Sequence, residues 1–440
     1  MRVLIIGSGG REHALAWKLK REEPSIELLA APGNPGIAAL AECVPVGVTD
    51  IPALLALARQ RAVDLTIVGP EGPLALGIVD QFRAAKLPIF GPTQAAAEIE
   101  TSKAFAKQLM LDDGIPTGSA EMHAHVAPAK KCARMFGAPV VVKASGLAAG
   151  KGVLICETIA EADAAIEDIL EGNRFGSAGA NVLIEEFMDG EELSVFAITD
   201  GTSFVRLPAL QDHKRLLELD RGPNTGGMGA YLPITLPLRP DRPVSDGDTA
   251  IDAIIDRTLK GLAARGRGFT GLLYAGLMMT RDGPRVVEFN CRFGDPETQA
   301  LMPVLAGSYR LLDLMLAVGR GEPLPKAEMV ARGACVTTVL AAAGYPDTPR
   351  TGDVIVLPPD ADDVVAFHAG TARDAGGQLV TAGGRVLAVT ATGGSIADAQ
   401  RKSLDFVQRV QFEGRQFRTD IGWREMARQR EQPRAGAPGN

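Results

Sequence analysis

The sequence predicts a multidomain α/β and α+β protein: an N-terminal parallel-sheet domain, a two-lobed central domain and a small C-terminal β-rich domain. Three observations lead there. Short apolar segments alternate with helical periodicity over the first hundred residues, the rhythm of a parallel sheet with helices on both faces. Near Thr101 that rhythm gives way to glycine loops, longer strands and a hairpin. From about Gly333 short strands follow one another closely, with one helix. A chain of 440 residues also fits about three domains. The expected divisions are 1–100, 101–330 (with about 121–190 as a mobile lid lobe), 331–425, and a flexible tail at 426–440.

The elements follow in order. Val3–Ile6 is a buried strand, Arg11–Lys20 a helix and Ile26–Ala30 a second strand. Asp50 caps a helix over Pro52–Arg61, with Pro near its first turn. Leu65–Val68 and Pro88–Phe90 are strands flanking a helix near Leu74–Lys86. A helix begins or continues at Thr101–Lys103 and stops at Asp113-Gly114. Then come a helix near Pro128–Phe136, strands at Pro139–Lys143 and Val153–Cys156 around a glycine loop, a helix at Ile159–Leu170 and a strand at Val182–Phe187. Strands at Glu192–Thr199 and Phe204–Leu210 precede a polar loop, Gln211–Gly229, a Pro-rich excursion, Leu236–Pro243, and a helix, Thr249–Arg265. An apolar hairpin pairs Leu272–Met279 with Val286-Val287, and Gly294–Val318 reads as largely helical. The last unit has strands at Cys335–Leu340, Val354–Leu357, Val364–Phe367, Gln378–Thr381 and Val386–Thr390, and a helix at Ile396–Val410.

Composition narrows the function. The 46 basic and 53 acidic residues give a net charge of −7, with no basic surplus for nucleic acid or an anionic membrane. No apolar run reaches membrane-spanning length, and the N-terminal one is too short for a signal peptide. Five dispersed cysteines without a CxxC pair fit reduced thiols in the cytoplasm. The five histidines show no zinc spacing; His123 and His125 are close, but no Cys or HExxH pattern joins them.

The run Glu288-Phe-Asn290-Cys-Arg292-Phe-Gly-Asp295-Pro-Glu297 carries most of the chemistry. Residues two apart on a strand face the same way, so Glu288, Asn290 and Arg292 share a face, with Val287 and Phe289 packed behind. An acid and an amide oxygen suit a hard cation, and Arg binds phosphate oxygens in pairs. Gly7-Ser8-Gly9-Gly10 follows a strand and opens a helix, where unpaired amides attract anions. It is not a dinucleotide fingerprint: Glu12 stands where the third glycine belongs, and no acid ends the second strand. A small phosphorylated substrate fits better, with Gly33–Gly36 and Gly69-Pro70-Glu71 as further walls. The stretch Lys143 to Gly152, with Gly146, Gly150 and Lys151 between, places lysines around a flexible loop but is not a Walker A motif, since Gly152 follows Lys151. The acidic strand end at Glu185-Glu186-Phe187 and Glu192 reads either as a solvated turn or as an adenine and ribose site. The loop from Gln211-Asp212-His213-Lys214 to Asn224-Thr225-Gly226 suits an ordered substrate loop.

With these motifs assembled, and with Val68–Pro73, Ser102-Lys103, His368–Thr371 and Gly383–Val386, the chain resembles the glycinamide ribonucleotide synthetase (phosphoribosylamine–glycine ligase) family of ATP-grasp ligases over about residues 1 to 425. The resemblance implies an ATP-grasp two-lobed central domain, and a reaction in purine biosynthesis that joins glycine to 5-phosphoribosylamine at the expense of ATP. It implies that Lys103 and Lys143 contact ATP phosphates, that Gly146–Gly152 closes over them, that Glu185, Glu186 and Phe187 line adenine, and that Glu192 holds ribose. Glu288 and Asn290 would bind Mg2+ or Mn2+. Gly7, Ser8, Gly9 and Gly10 would lie beside the phosphoribosyl group. Asn224, Thr225, Gly226 and Asp295 would contact substrate, and Arg292, Lys214 and Asp212 would serve the chemistry. Cys291 would point into the core. The partners would be small molecules, with the protein a monomer. Two departures stand out: Ser145 where the family usually has Asp, and Leu216–Arg221 in place of a Gly/Asp-rich stretch. They leave open another ATP-grasp carboxylate–amine ligase or a non-catalytic nucleotide-binding homologue.

Overall fold

The protein is described by a computed structural model over residues 1–146, 152–172, 179–235 and 244–431. Gly150, Lys151, the excursion Leu236–Pro243 and the end of the tail lie outside the described residues. The first domain has a five-stranded parallel sheet in the order Glu42–Cys43, Glu27–Pro32, Arg2–Gly7, Leu65–Val68, Ile89–Phe90. Strand Arg2–Gly7 is buried on both faces: Leu4 and Ile6 enter one core cluster, Val3 and Ile5 the other. Asp50 caps helix Ile51–Gln60 through an Ala53 amide bond of 3.1 Å. The helix expected at Leu74–Lys86 is two short helices, Glu71–Ala75 and Ile78–Ala84. Gly77 between them adopts a left-handed φ of +78°, which ends the first turn.

The central region holds two antiparallel sheets. The smaller lobe orders its strands Ala120–His123, Val182–Glu186, Val140–Ala144, Val153–Cys156, under helices Val126–Phe136 and Ile159–Leu170. It closes over its own apolar cluster, which includes Cys132, Val142, Ile166 and Ile184. The larger sheet runs Phe204–Arg206, Glu191–Thr199, Gly271–Thr280, Gly283–Asn290. Its two sides join the same clusters that flank the N-terminal sheet, Val195 and Ala275 in one and Phe196 and Tyr274 in the other.

The polar stretch after Gln211 is more ordered than a loop. Strands Arg215–Leu217 and Arg221–Asn224 pair as a hairpin whose turn places Leu219 and Asp220 at φ +53°. Fully buried Arg418 holds that turn, donating to Asp220 Oδ1 at 2.8 Å and to the Arg215 carbonyl at 3.1 Å. Strands Gln211–Asp212 and Gly229–Leu232 extend a third sheet with Ala334–Ala341, Arg385–Gly393 and Val364–His368. This sheet therefore draws on residues from both sides of position 331.

Three other segments depart from expectation. Gly294–Val318 contains a short helix, Glu297–Leu301, a strand, Leu305–Gly307, and a longer helix, Leu311–Arg320. Val354–Leu357 makes only isolated bridges. The tail does not begin at 426: Trp423–Glu431 is helical, and buried Glu425 accepts from the Thr235 amide at 2.9 Å.

The separate core of the smaller lobe has a measurable consequence. Ile166→Ala removes a fully buried side chain from that cluster alone and should cost about 2–5 kcal/mol. Hydrogen exchange should accelerate in 120–186 while strands Arg2–Gly7 and Gly271–Thr280 keep their protection.

Candidate active site

The cleft lies where the smaller lobe faces the hairpin Gly271–Asn290. Segment Ile115–Gly118 is the connector: the Val286 amide donates to the Pro116 carbonyl at 2.7 Å, and Arg285 to the Thr117 carbonyl at 2.7 Å. Ser102 caps helix Lys103–Asp112 through the Phe105 amide at 3.2 Å. That cap places Lys103 at the helix start, where its Nζ donates to the Gly146 carbonyl at 2.9 Å. One turn on, Lys107 is buried and lies 2.8 Å from Glu185 Oε1, while donating to Thr117 Oγ1 at 2.7 Å. Lys143, from the neighbouring strand, forms an ion pair with Glu185 Oε2. Burial works to raise the Glu185 pKa, but Lys143 and Lys107 overcome it and hold the carboxyl below its ordinary range.

Sequence reasoning missed Lys107. The Glu185 side chain bridges Lys107 and Lys143. Glu186 reaches Arg285 at 2.6 Å, and Phe187 is exposed.

Glu288 sits across from Gly276 on the hairpin. A bulge beside it shifts the register, so Val286 rather than Val287 enters the core with Phe289 and Cys291. Burial disfavours the Glu288 charge, yet Lys214, Lys143, Lys103 and Arg292 together lower its pKa. Lys214 pairs with Glu192 and lies 3.9 Å from Glu288. Asp212 behaves in the opposite way: burial, then Glu297, Glu192 and Glu288, raise its pKa well above the ordinary value against the pull of Lys214. Asn290 is buried at the strand end beside Glu288. Hard oxygens from an acid and an amide fit a magnesium-class ion better than a soft one.

Beyond the strand, Arg292 turns to the N-terminal domain, 2.9 Å from Glu100 and 3.3 Å from Glu71. Glu100 also accepts from the Cys291 amide at 2.8 Å and its thiol at 3.0 Å, and Cys291 is buried as expected. Glu297 is buried as well, accepting from Tyr274 Oη at 2.7 Å and Ser194 Oγ at 3.2 Å.

The second group of expected residues gathers at the C-terminal end of strand Arg2–Gly7. The Gly9 amide donates to buried Glu12 Oε2 at 2.6 Å. A Cβ on Gly69 would lie 2.1 Å from Glu12 Oε1, and one on Gly9 3.6 Å from Asp295 Oδ2. Asp295 accepts from Gln299 at 2.7 Å and faces Arg385 at 3.3 Å. Arg385 also donates to the Asp295 carbonyl at 2.6 Å and to the Gly226 carbonyl. Thr225 Oγ1 donates to the Lys214 carbonyl at 2.8 Å, and Asn224 pairs with Arg215. Asn34 donates to the carbonyls of Ser8 and His368, both at 2.8 Å. Thus Gly7–Gly10, Gly226 and Asp295 are brought together, and Arg385 from the last domain links two of them. Arg385, Lys107, Glu100 and Glu297 carried no assigned role in the sequence; the Gly383–Val386 and Glu288–Glu297 motifs were the only local signals for them.

A nucleotide cleft between two antiparallel α+β lobes defines the ATP-grasp class of nucleotide-dependent enzymes. A biotin carboxylase–β-γ-ATP complex from Campylobacter jejuni shares this fold with a TM-score of 0.73 at 16% identity, over 94% of this chain and 92% of that one. The chain matches the phosphoribosylglycinamide synthetase N domain over residues 1–100, the ATP-grasp (A) domain over 101–298 and the C domain over 335–424. It is 49% identical to a phosphoribosylamine–glycine ligase of Xanthomonas campestris, covering 98% of this chain and 99% of that protein. The structure of a phosphoribosylamine–glycine ligase from Thermotoga maritima superposes with a TM-score of 0.82 at 34% identity, over 96% of this chain and 100% of that one. The chain belongs to the phosphoribosylglycinamide synthetase family, and it is an ATP-dependent ligase.

The Lys107–Glu185–Lys143 cluster generates a pH-dependent expectation. Lys107→Ala leaves Glu185 with one cation and should destabilise by about 3 kcal/mol. Because the folded pKa of Glu185 is depressed, its contribution is fully present above the unfolded value of about 4.3 and is lost as pH falls through the folded value. Urea denaturation of both proteins from about pH 7 down to about pH 3 should therefore show the difference shrinking on the acid side.

Proposed function

We propose that the cleft joins glycine to 5-phosphoribosylamine, forming glycinamide ribonucleotide, ADP and phosphate through a glycyl phosphate. The observation that carries this reading is the pairing of Glu288 with buried Asn290 at the hairpin's strand end, with Lys214 3.9 Å from Glu288 and the charges of Lys143, Lys103 and Arg292 also lowering its pKa. Such a constellation suits a metal-bound triphosphate. Glu288 and Asn290 would hold Mg2+, or Mn2+ in its place, and the ion would neutralise charge on the transferring phosphoryl group. Because Tyr274–Met279 adds no further acid, phosphates and water would fill its remaining positions.

The chain's own residues supply the rest. A carboxylate is a poor electrophile, so glycine's carboxylate first attacks the γ-phosphate. Phosphoryl transfer of this kind needs positioned charge more than covalent help. Lys103 and Lys143 would face the phosphates, with Gly146 and Gly152 near them. Glu186 and Phe187 lie at the end of the lobe's central strand, where adenine would stack, and Glu192 would bind ribose once released from Lys214. The phosphoribosyl group would sit between Gly7–Gly10, Asp295 and Gly226. The amine then attacks the acyl carbon and phosphate leaves. Asp212, whose pKa burial and its acidic neighbours raise, is placed to exchange a proton near Lys214. Closing residues about 121–190 over the cleft would keep water from the acyl phosphate. The five free cysteines support a reducing cytoplasmic setting.

Glu288→Ala should reduce glycine-dependent ADP formation on the order of 10²–10³ while leaving the circular dichroism unchanged; unaltered turnover would remove the metal assignment. ADP release with glycine, and none with formate or aspartate, separates this reading from another ATP-grasp carboxylate–amine ligase. Mass spectrometry of the product from ATP, glycine and freshly generated phosphoribosylamine identifies the ligated species directly.

A further inference from the structure

We propose that Glu121, His123 and Cys132 form a zinc-binding site on the smaller lobe, separate from the nucleotide cleft. Glu121 and His123 lie two apart on strand Ala120–His123, so their side chains leave the same face. Helix Val126–Phe136 follows that strand and brings in Cys132, which is buried. The sequence shows two nearby histidines without a cysteine partner; the chain reversal after His123 supplies one from nine positions on. The carboxylate oxygen, imidazole nitrogen and sulfur all lie within 4.8 Å of one another.

His123 Nε2 adds an independent observation. It is buried without a hydrogen-bond partner, although Glu121 Oε2 lies 3.4 Å away. Buried polar atoms in native structures are nearly always satisfied, so a buried ring nitrogen that makes no hydrogen bond while lying close to a carboxylate and a thiol points to a ligand between them. Tetrahedral zinc bonds of about 2.0–2.3 Å require ligand atoms roughly 3.3–3.8 Å apart. Contraction from the present arrangement is on the scale of a side-chain rotation. Mixed nitrogen, sulfur and oxygen donors select zinc over magnesium, which takes oxygen alone. The Cys132 thiol, pushed up to about 11 by burial and by Glu121, would release its proton to solvent as the sulfur–metal bond forms. Glu121 is half exposed, which leaves a water-accessible fourth position.

Co2+ is a visible stand-in for zinc. Added to the full-length protein with Mg2+ and ATP saturating the cleft, it should give a thiolate-to-cobalt charge-transfer band that saturates at one ion per chain. Zn2+ should displace it. Cys132→Ser should abolish the band, and His123→Ala should weaken cobalt affinity at least tenfold. Because Cys132 is a core residue, Glu121→Gln serves as a surface-side control and should also weaken binding. Absence of a charge-transfer band, or a band unchanged in both Cys132→Ser and His123→Ala, overturns the site.

Discussion

Glu185 imposes the constraint on which the cleft depends. It carries a buried charge on a strand of the smaller lobe, and its partners come from two bodies: Lys143 from the adjacent strand, Lys107 from a helix whose Ala106, Leu109 and Met110 pack in the main core. An isolated buried carboxylate would be strongly unfavourable, so the smaller lobe's central strand is held to the place where both lysines can reach. Lys107 is held in turn by Thr117 and the Gly118 carbonyl, so the ion cluster also fixes the connector between lobes. The position of Lys143 over the hairpin, where it reaches the Val287 carbonyl, follows from that.

The rest of the cleft follows the same rule of paired charge. Lys214 is held by Glu192, and Arg292 by Glu71 and Glu100. Each of these two cations thus has a carboxylate partner before any substrate arrives. A triphosphate entering this region competes with those carboxylates rather than meeting bare cations. The pairs that are partly exposed, Lys214 with Glu192, are the ones able to exchange at small cost. The buried ones, Glu185 with its lysines, are scaffolding. This division separates residues that position the cleft from those free to change partner during turnover.

Much of the fold was legible because its signals are local. Apolar runs bounded by glycine and proline located the parallel strands, and a period of two placed Glu288 and Asn290 beside each other. Glycine-rich motifs pointed to Gly7–Gly10 and Gly226 without revealing that Arg385, more than a hundred and fifty positions later, links Gly226 to Asp295. Lys107, Glu100 and Glu297 were not legible because their roles come from tertiary pairing, which leaves no periodic trace. The hairpin at 215–224 was hidden by its composition. Its order comes from Arg418, and the segment pays for two left-handed non-glycine residues through that anchor. Helix Trp423–Glu431 was missed for a related reason: it is highly charged, and its attachment rests on Glu425 and Arg428 rather than on an apolar stripe.

Glu12 shows how far a glycine motif can be read without its surroundings. The Gly7–Gly10 turn looks like an open nest of amides at a helix N-terminus, yet the Gly9 amide already donates to Glu12. Gly7 and Gly69 lack side chains because Glu12 occupies the space where a Cβ would stand. Part of the glycine pattern therefore accommodates an internal carboxylate, neutralised by Arg11 at 2.6 Å. What remains available to an anion is the outer rim, where Ser8 is exposed and Asp295 approaches. Asp295 is itself acidic and held by Arg385. The glycine pattern at this strand end is therefore set as much by an internal, paired carboxylate as by any external anion.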